Sequence, residues 1–147
     1  MPNVSLIRFA SALVALIAWT PAALAAGSSL PWGGGGPMAK FDAIIAQYNA
    51  SGEPFRIEGS CQSSCTMFLA IRNVCVDPSA TLLFHAALSA HEKDHAPYPE
   101  RNAHMAGHYN ASLRRFVAAN HYMDSFTFHA VSGRDIIQKF GYRQCAK

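Results

Sequence analysis

The sequence predicts a single small α/β domain with a partly parallel sheet, preceded by an amino-terminal leader. The chain has 147 residues, and a chain of that length builds one hydrophobic core rather than two. One segment has the apolar period of an amphipathic helix, and short apolar runs between turn signals are typical of strands. The domain is expected to cover residues 26–147.

Residues 1–25 are expected to be a secretory signal peptide. Residues 9–25 contain 14 apolar residues, and Ala23–Ala25 has the small-x-small pattern that signal peptidase accepts. Pro21 interrupts this 17-residue run, which is short for a bilayer core that needs about 20 residues. We therefore expect a periplasmic or secreted protein with no stable membrane anchor after cleavage.

The charge pattern argues against a nucleic-acid partner. Twelve Lys and Arg residues against nine Asp and Glu residues give a net charge of +3. These charges are spread along the chain without a basic run, so the sequence offers no stripe that would follow a phosphate backbone.

The first predicted helix follows a glycine-rich segment, residues 27–36. Apolar residues then recur at the i, i+3, i+4, i+7 spacing of an amphipathic helix, at Phe41, Ile44, Ile45 and Tyr48. Gly52 is a C-terminal stop signal. We expect a helix that begins near Met38 and ends at Gly52.

A strand, a helix and two strands are expected next. Residues 54–58 alternate in polarity and predict a short strand, and residues 60–66 are rich in helix-capping residues before an apolar run. Residues 74–76 and 81–84 predict two further strands with a turn signal between them. A helix between two strands is a crossover connection, which makes the strand pair parallel.

The second half of the domain is expected to be mainly helical. Residues 86–101 are polar and contain two histidines and two prolines, so we expect a surface excursion with little regular structure. Apolar residues from Met105 to Val117 predict a third helix. Ser132 opens a capping-box pattern, and Gly141 ends the last predicted helix.

The cysteines predict two disulfides. An even number of cysteines in a small exported domain indicates an oxidising compartment and leaves three pairings open among Cys61, Cys65, Cys75 and Cys145. A zinc site built from these thiolates is the alternative. It normally uses two closely spaced cysteine pairs, and this chain has only one.

The junction between the predicted strand at residues 54–58 and the second helix offers the best candidate for catalysis. Ser63 lies at the first turn of that helix, where backbone N–H groups and the positive helix end suit an oxyanion, and Ser64 supplies the next N–H group. His85 ends a later strand that the crossover returns alongside, so it is a candidate base. The alternative is that the serines only cap a helix and His85 is a core histidine.

At this junction the sequence resembles a known family. Gly59–Thr66, residues 72–79 and Leu82–His85 resemble the core of the Clp protease proteolytic subunit and its crotonase-fold relatives. The closest resemblance is to small exported members of that superfamily, which carry a G-x-C-x-S-x-C-T pattern. The resemblance covers roughly residues 33–90 well and residues 105–142 loosely, and it implies crossover units of the Clp-protease and crotonase type.

The resemblance also implies a function. By position, Ser63 would be the nucleophile and His85 the base of a serine hydrolase that acts on peptides or proteins. Gly34 and Gly35, with the amide of Ser64, would form the oxyanion hole. Because members of the superfamily form rings or stacked oligomers, the resemblance also implies self-association.

The acidic third member of the family's triad has no direct counterpart here. The family has it four residues before the last helix, where this chain has Phe128. The nearest acids are Asp124 and Asp135, and one of them would have to hold the tautomer of His85. The main alternative is therefore a catalytically weak or silent member that acts as a binding module.

A second constellation, His91–His95, matches the H-E-x-x-H zinc motif. That motif requires a stable helix, but this segment is polar on every side, and Pro97 and Pro99 follow at once. His104 and His108 are also four residues apart and would complete a site with this segment. A zinc hydrolase ranks third, and we expect neither a metal nor another cofactor.

Overall fold

Two three-stranded sheets form the framework of the domain in the computed structural model, which describes residues 26–88 and 97–146. In chain order, the strands and α-helices of these residues are β1 (Gly27–Ser28), α1 (Met38–Ser51), β2 (Phe55–Ile57), β3 (Ser60–Gln62), β4 (Val74–Val76), β5 (Thr81–Phe84), α2 (Pro99–Gly107), α3 (Ala111–Ala119), β6 (His129–Ser132) and α4 (Gly133–Phe140). Two 3-10 helices, Leu30–Trp32 and Ser63–Ala70, are also present. The predicted signal peptide lies outside the described residues.

The sheets are partly parallel, as the sequence predicts. One sheet has the order β1-β2-β4 with both pairs parallel. The other has the order β3-β5-β6, in which β3 and β5 are parallel and β5 and β6 antiparallel. The chain passes from β2 to β4 through β3 and the longer 3-10 helix, and a parallel pair requires such a crossover. The sequence does not predict β6, which becomes a strand by pairing with β5.

The longer 3-10 helix forms the centre of the core. Its side chains from Ser64 to Leu69 are all buried, and α1 packs against it, with the ring of Phe41 5.0 Å from that of Phe68. The predicted second helix is therefore present, but in 3-10 geometry, a form that proteins use in short pieces.

Helices α1 and α4 begin and end where the sequence predicts. Gly52 is left-handed, with φ 72°, and its amide donates to the carbonyl of Tyr48 at the end of α1. The hydroxyl of Ser132 accepts a hydrogen bond from the Asp135 amide at 3.1 Å. Gly141 ends α4 in the left-handed region, as glycine commonly does at this position.

The prediction of one helix from Met105 to Val117 is wrong, because α2 and α3 are separate. The side chain of Asn110 accepts a hydrogen bond from the amide of Leu113 at 2.9 Å and caps α3. An asparagine that bonds the backbone ahead of it favours a new helix start over continuation. The apolar spacing continues across this break because each of the two helices buries the apolar residues that the pattern contains.

The surface excursion predicted for residues 86–101 is wrong at both ends. Ala87 is buried, and its amide donates to Asn102 Oδ1 at 2.6 Å. Helix α2 already begins at Pro99. This hydrogen bond to Asn102 holds the start of the segment in place. The polar composition of the segment gives no indication of it. Residues 89–96 lie outside the described residues.

Both predicted disulfides are present, and the structure selects their pairing. Cys61 bonds to Cys65, four residues away, and Cys75 bonds to Cys145, 70 residues away. Two disulfides in a small domain are typical of an oxidising, extracellular environment. Within residues 26–88 and 97–146, no helix has the length and apolar character needed to cross a membrane.

The two disulfides are expected to contribute unequally to stability. In the chain-entropy account, the stabilisation grows with the length of the closed loop, to about 4 kcal/mol for 70 residues against about 2 kcal/mol for four. Urea unfolding of Cys75→Ala/Cys145→Ala should therefore show a greater loss of the free energy of unfolding than that of Cys61→Ala/Cys65→Ala. Equal losses of the free energy of unfolding would contradict the expectation that the disulfide closing the longer loop stabilises the domain more.

Candidate active site

A cavity of about 520 Å³ brings the predicted site residues together. It lies between the glycine-rich segment, the start of the 3-10 helix Ser63–Ala70, the end of β5 and helix α2. Ser63, Ser64 and His85 all line it. Residues from distant parts of the sequence therefore share one concave site, which is where ligands of small domains usually bind.

Ser63 has a backbone conformation that is uncommon for a residue with a side chain. It follows β3, opens the 3-10 helix and has φ 56°. Left-handed backbone at a non-glycine residue costs of order 1–3 kcal/mol and occurs often at functional sites. Its hydroxyl makes no hydrogen bond within the described residues, so the oxygen is free to react or to bind.

The glycine-rich segment is held tightly against this junction. The carbonyl of Gly33 accepts a hydrogen bond from the Gln62 amide at 2.9 Å, and the hydroxyl of buried Ser64 donates to the carbonyl of Gly36 at 2.7 Å. A Cβ atom at Gly35 would lie 2.9 Å from the Cβ of Ser63. Glycine at this position therefore allows the segment to approach the serine.

One residue of the predicted oxyanion hole is already engaged. The amide of Gly35 donates to the carbonyl of Trp32 at 2.9 Å, so it is not free to bind an oxyanion. Gly34 and Gly36 line the cavity instead, beside Ser64. Gly36 thus joins Gly34 as the candidate donor from this segment, and Gly35 serves to bring the segment close.

His85 is buried in an apolar setting. Only 4% of the residue is exposed, and its Nδ1 atom has no hydrogen-bond partner in the described part of the chain. The ring of Phe128 packs edge-on against the imidazole, with 4.7 Å between the ring centroids. Burial lowers the pKa of His85, and the backbone of Ala86 opposes this only in part. The neutral imidazole is therefore favoured at neutral pH, which is the form that a general base requires.

The two candidate acids lie elsewhere. Asp124 pairs with His121 at 2.7 Å on the exposed surface, and Asp135 pairs with Lys139 at 3.2 Å in α4. Neither carboxylate reaches His85, whose Nδ1 is unpartnered. The expectation that one of them orients the imidazole is therefore not met, because Asp124 contacts His121 and Asp135 contacts Lys139, each close to it in sequence.

The serine and histidine share the cavity without touching. No hydrogen bond joins the Ser63 hydroxyl to His85, although both residues face the same space. Catalytic hydrogen bonds are often long in a ligand-free enzyme and tighten when substrate binds. Among the described residues, the arrangement is thus a serine and a neutral histidine without an acidic third member.

Arg101 is a site residue that the sequence interpretation missed. It lies in α2 and lines the cavity, and its Nε atom is buried without a hydrogen-bond partner. It forms no ion pair with any residue in the described part of the chain. The sequence interpretation missed Arg101 because it predicted a solvated loop there. Met105, one helical turn later on the same face, is the residue whose apolar side chain could have indicated a helix.

The zinc motif His91–His95 falls outside the described residues, so the structure does not test it. Comparisons with known proteins add no functional assignment, since no protein-family model matches this sequence and no curated protein matches it significantly.

The environment of His85 gives a direct prediction for its pKa. In the wild-type protein we expect the imidazole to titrate below its ordinary pKa of about 6.5, because burial disfavours the charged form. Phe128→Asp should raise this pKa, since it admits water and adds a negative charge beside the ring.

The pKa can be measured by NMR titration of the histidine ring protons, with His85→Gln used to assign the signal. Phe128→Leu is the matched control and should leave the pKa low, because leucine keeps an apolar cover. A wild-type pKa at or above about 6.5 would contradict this account of the site.

Proposed function

We propose that this protein is an exported serine hydrolase that cleaves peptide bonds, with Ser63 as nucleophile and His85 as base. The observation that carries the proposal is the shared cavity of these residues, where a strained serine at a helix start faces a buried neutral histidine. The motif resemblance to the Clp protease proteolytic subunit and crotonase-fold proteins supports the same roles.

The reaction follows from these groups. The Ser63 hydroxyl oxygen attacks the carbonyl carbon of the substrate while His85 accepts its proton. The tetrahedral intermediate collapses, the C–N bond breaks, and the leaving amine takes the proton from His85. Water then hydrolyses the acyl-serine ester, with His85 again acting as base, and releases the acid and the free serine.

Backbone amides supply the stabilisation of the intermediate. The first N–H groups of a helix have no intrahelical acceptor and carry the positive end of the helix dipole. The Ser64 amide has this position, and Gly34 and Gly36 line the cavity beside it. Such donors stabilise an oxyanion in a water-poor site more strongly than in bulk water.

The lack of an acid beside His85 among the described residues would limit the rate. Proton transfer turns His85 into an imidazolium, and no carboxylate of residues 26–88 and 97–146 is hydrogen-bonded to Nδ1 to stabilise that charge. In serine proteases, losing the function of the acid lowers the rate by about 10⁴-fold. We therefore propose a slow hydrolase.

A binding module is the second candidate function. The unpartnered Nδ1 of His85 and the apolar contact with Phe128 favour it, because these features stabilise a neutral ring but not its charged form. On this proposal the cavity would bind a peptide without cleaving it.

We propose the periplasm or the exterior of the cell as the location, supported by the signal-peptide pattern and the two disulfides. Self-association remains a proposal that depends on the family resemblance alone.

Labelling of Ser63 tests the hydrolase proposal. A fluorophosphonate probe should label the wild-type protein, Ser63→Ala should abolish labelling, and His85→Ala should slow it about 100-fold or more, because an unassisted hydroxyl is a poor nucleophile. Intact mass and peptide mapping would identify the modified residue.

Three controls accompany this experiment. Ser60→Ala, in the neighbouring strand, should label at the wild-type rate. Asp124→Asn and Asp135→Asn should do the same, because both acids pair with other residues. The binding-module candidate would replace the hydrolase proposal if the folded protein were not labelled.

Arg101 is expected to select substrates with an anionic group. A buried guanidinium nitrogen without a partner favours a carboxylate ligand, such as the C-terminus of a peptide. Peptide acids should therefore protect Ser63 from the probe at lower concentration than the matching peptide amides, by about 10-fold or more.

Arg101→Met should remove this difference and leave protection by the amides unchanged, since methionine keeps the apolar stem without the charge. Equal protection by acids and amides in the wild-type protein would exclude this role for Arg101, without bearing on whether Ser63 is the nucleophile.

A further inference from the structure

A cluster of three metal-ligating side chains joins α1 to the end of α2. Asp42 in α1 lies between His104 in α2 and His108, the residue that caps α2. The Nε2 atom of His104 is 3.0 Å from Asp42 Oδ2, and that of His108 is 3.1 Å from Asp42 Oδ1. Two imidazole nitrogens therefore point at one carboxylate.

A hydrogen bond fixes which ring nitrogen of His108 faces Asp42. The Nδ1 atom lies 3.0 Å from the carbonyl oxygen of His104, which can only accept a hydrogen bond, so Nδ1 is the donor. Nε2 is then the ring nitrogen that lies beside Asp42 Oδ1.

The hydrogen bond from His108 Nδ1 to the His104 carbonyl is also of the kind that orients a metal-binding histidine. Metal-ligating imidazoles usually donate their second ring N–H group to a carbonyl or carboxylate, which leaves the other nitrogen for the metal. His108 already has this arrangement, with Nε2 directed at Asp42.

The distances suit a small ion with tetrahedral coordination. Ligand atoms at 2.0–2.1 Å from zinc lie about 3.3 Å apart, and one ligand atom from each of the three side chains lies within 4.8 Å of the other two. Small side-chain rotations would bring all three to the metal. About half of the His104 side chain is exposed, which gives an ion access from solvent.

We propose that Asp42, His104 and His108 form a binding site for one Zn²⁺ ion. Two imidazoles and one carboxylate are borderline ligands that suit zinc better than calcium or magnesium. Three protein ligands leave a fourth position for water. Its three ligands are not part of the H-E-x-x-H motif, and the proposal does not depend on the proposed hydrolase activity.

The position of the site indicates what the ion would do. Met38 precedes Asp42 by one turn of α1, and Met105 follows His104 directly in α2. Both methionines line the cavity, as does Arg101 on the same helix. A zinc ion at this cluster would fix α2 against α1 and so hold the wall that carries Arg101.

Zinc titration of the mature, disulfide-bonded protein tests the site. After treatment with a chelator, the protein should bind one Zn²⁺ ion per chain in competition with a zinc indicator, and zinc should raise its Tm. Co²⁺ in the same site should give the intense visible absorption of tetrahedral coordination.

His104→Ala and His108→Ala should each weaken zinc affinity by at least about 100-fold, because losing even an outer-shell partner costs 10–100-fold. Asp42→Asn is a second variant that keeps the side-chain size, and it should weaken affinity in the same way. His121→Ala is the matched control. Its side chain also pairs with an aspartate, but without a second histidine, so zinc binding should be unchanged.

Circular dichroism of the zinc-free variants separates loss of the site from loss of the fold, and a folded variant that has lost zinc affinity supports the proposal. Absence of stoichiometric zinc binding by the wild-type protein would overturn it. So would binding that survives in His104→Ala, His108→Ala and Asp42→Asn but is lost in His91→Ala or His95→Ala.

Discussion

The close approach of the glycine-rich segment to the junction of β3 and the 3-10 helix is the constraint on which the site depends. A Cβ atom at Gly33 would lie 2.4 Å from the carbonyl oxygen of Ser60, and one at Gly35 would collide with Gln62 and Ser63. Only glycine permits this contact. Because the segment is held there by hydrogen bonds on both sides of the serine, it forms one wall of the cavity and supports the left-handed backbone of Ser63.

The chemistry of the cavity follows from what surrounds His85. The apolar ring of Phe128 packs against the imidazole, so burial favours its neutral form, and no ion pair within the described residues opposes this. A neutral imidazole can accept a proton from Ser63, but the charged product is poorly stabilised in the same surroundings. A favourable neutral form and a poorly stabilised charged form are the reason that we propose slow hydrolysis, with peptide binding as the second candidate, for the same site.

Helix α2 connects this cavity with the proposed metal site. Its first half is linked to the rest of the domain by Asn102, which accepts from the Ala87 amide, and its C-terminal end by the two histidines that face Asp42. Arg101 directly precedes Asn102 in this helix. Occupancy of the proposed zinc site would therefore help to hold the helix that carries the one Lys or Arg side chain lining the cavity among the described residues.

The sequence by itself determined the elements whose signals are local. Helix α1 follows from its apolar period and the stop at Gly52, and α4 follows from its cap at Ser132, because each signal involves residues within a few turns of one another. Only the tertiary structure decided which cysteines pair, where α2 ends and α3 begins, that Asp124 contacts His121 and not His85, and that Asp42 meets two histidines more than 60 residues away. These outcomes depend on which distant surfaces pack together, and periodicity and spacing carry no information about that.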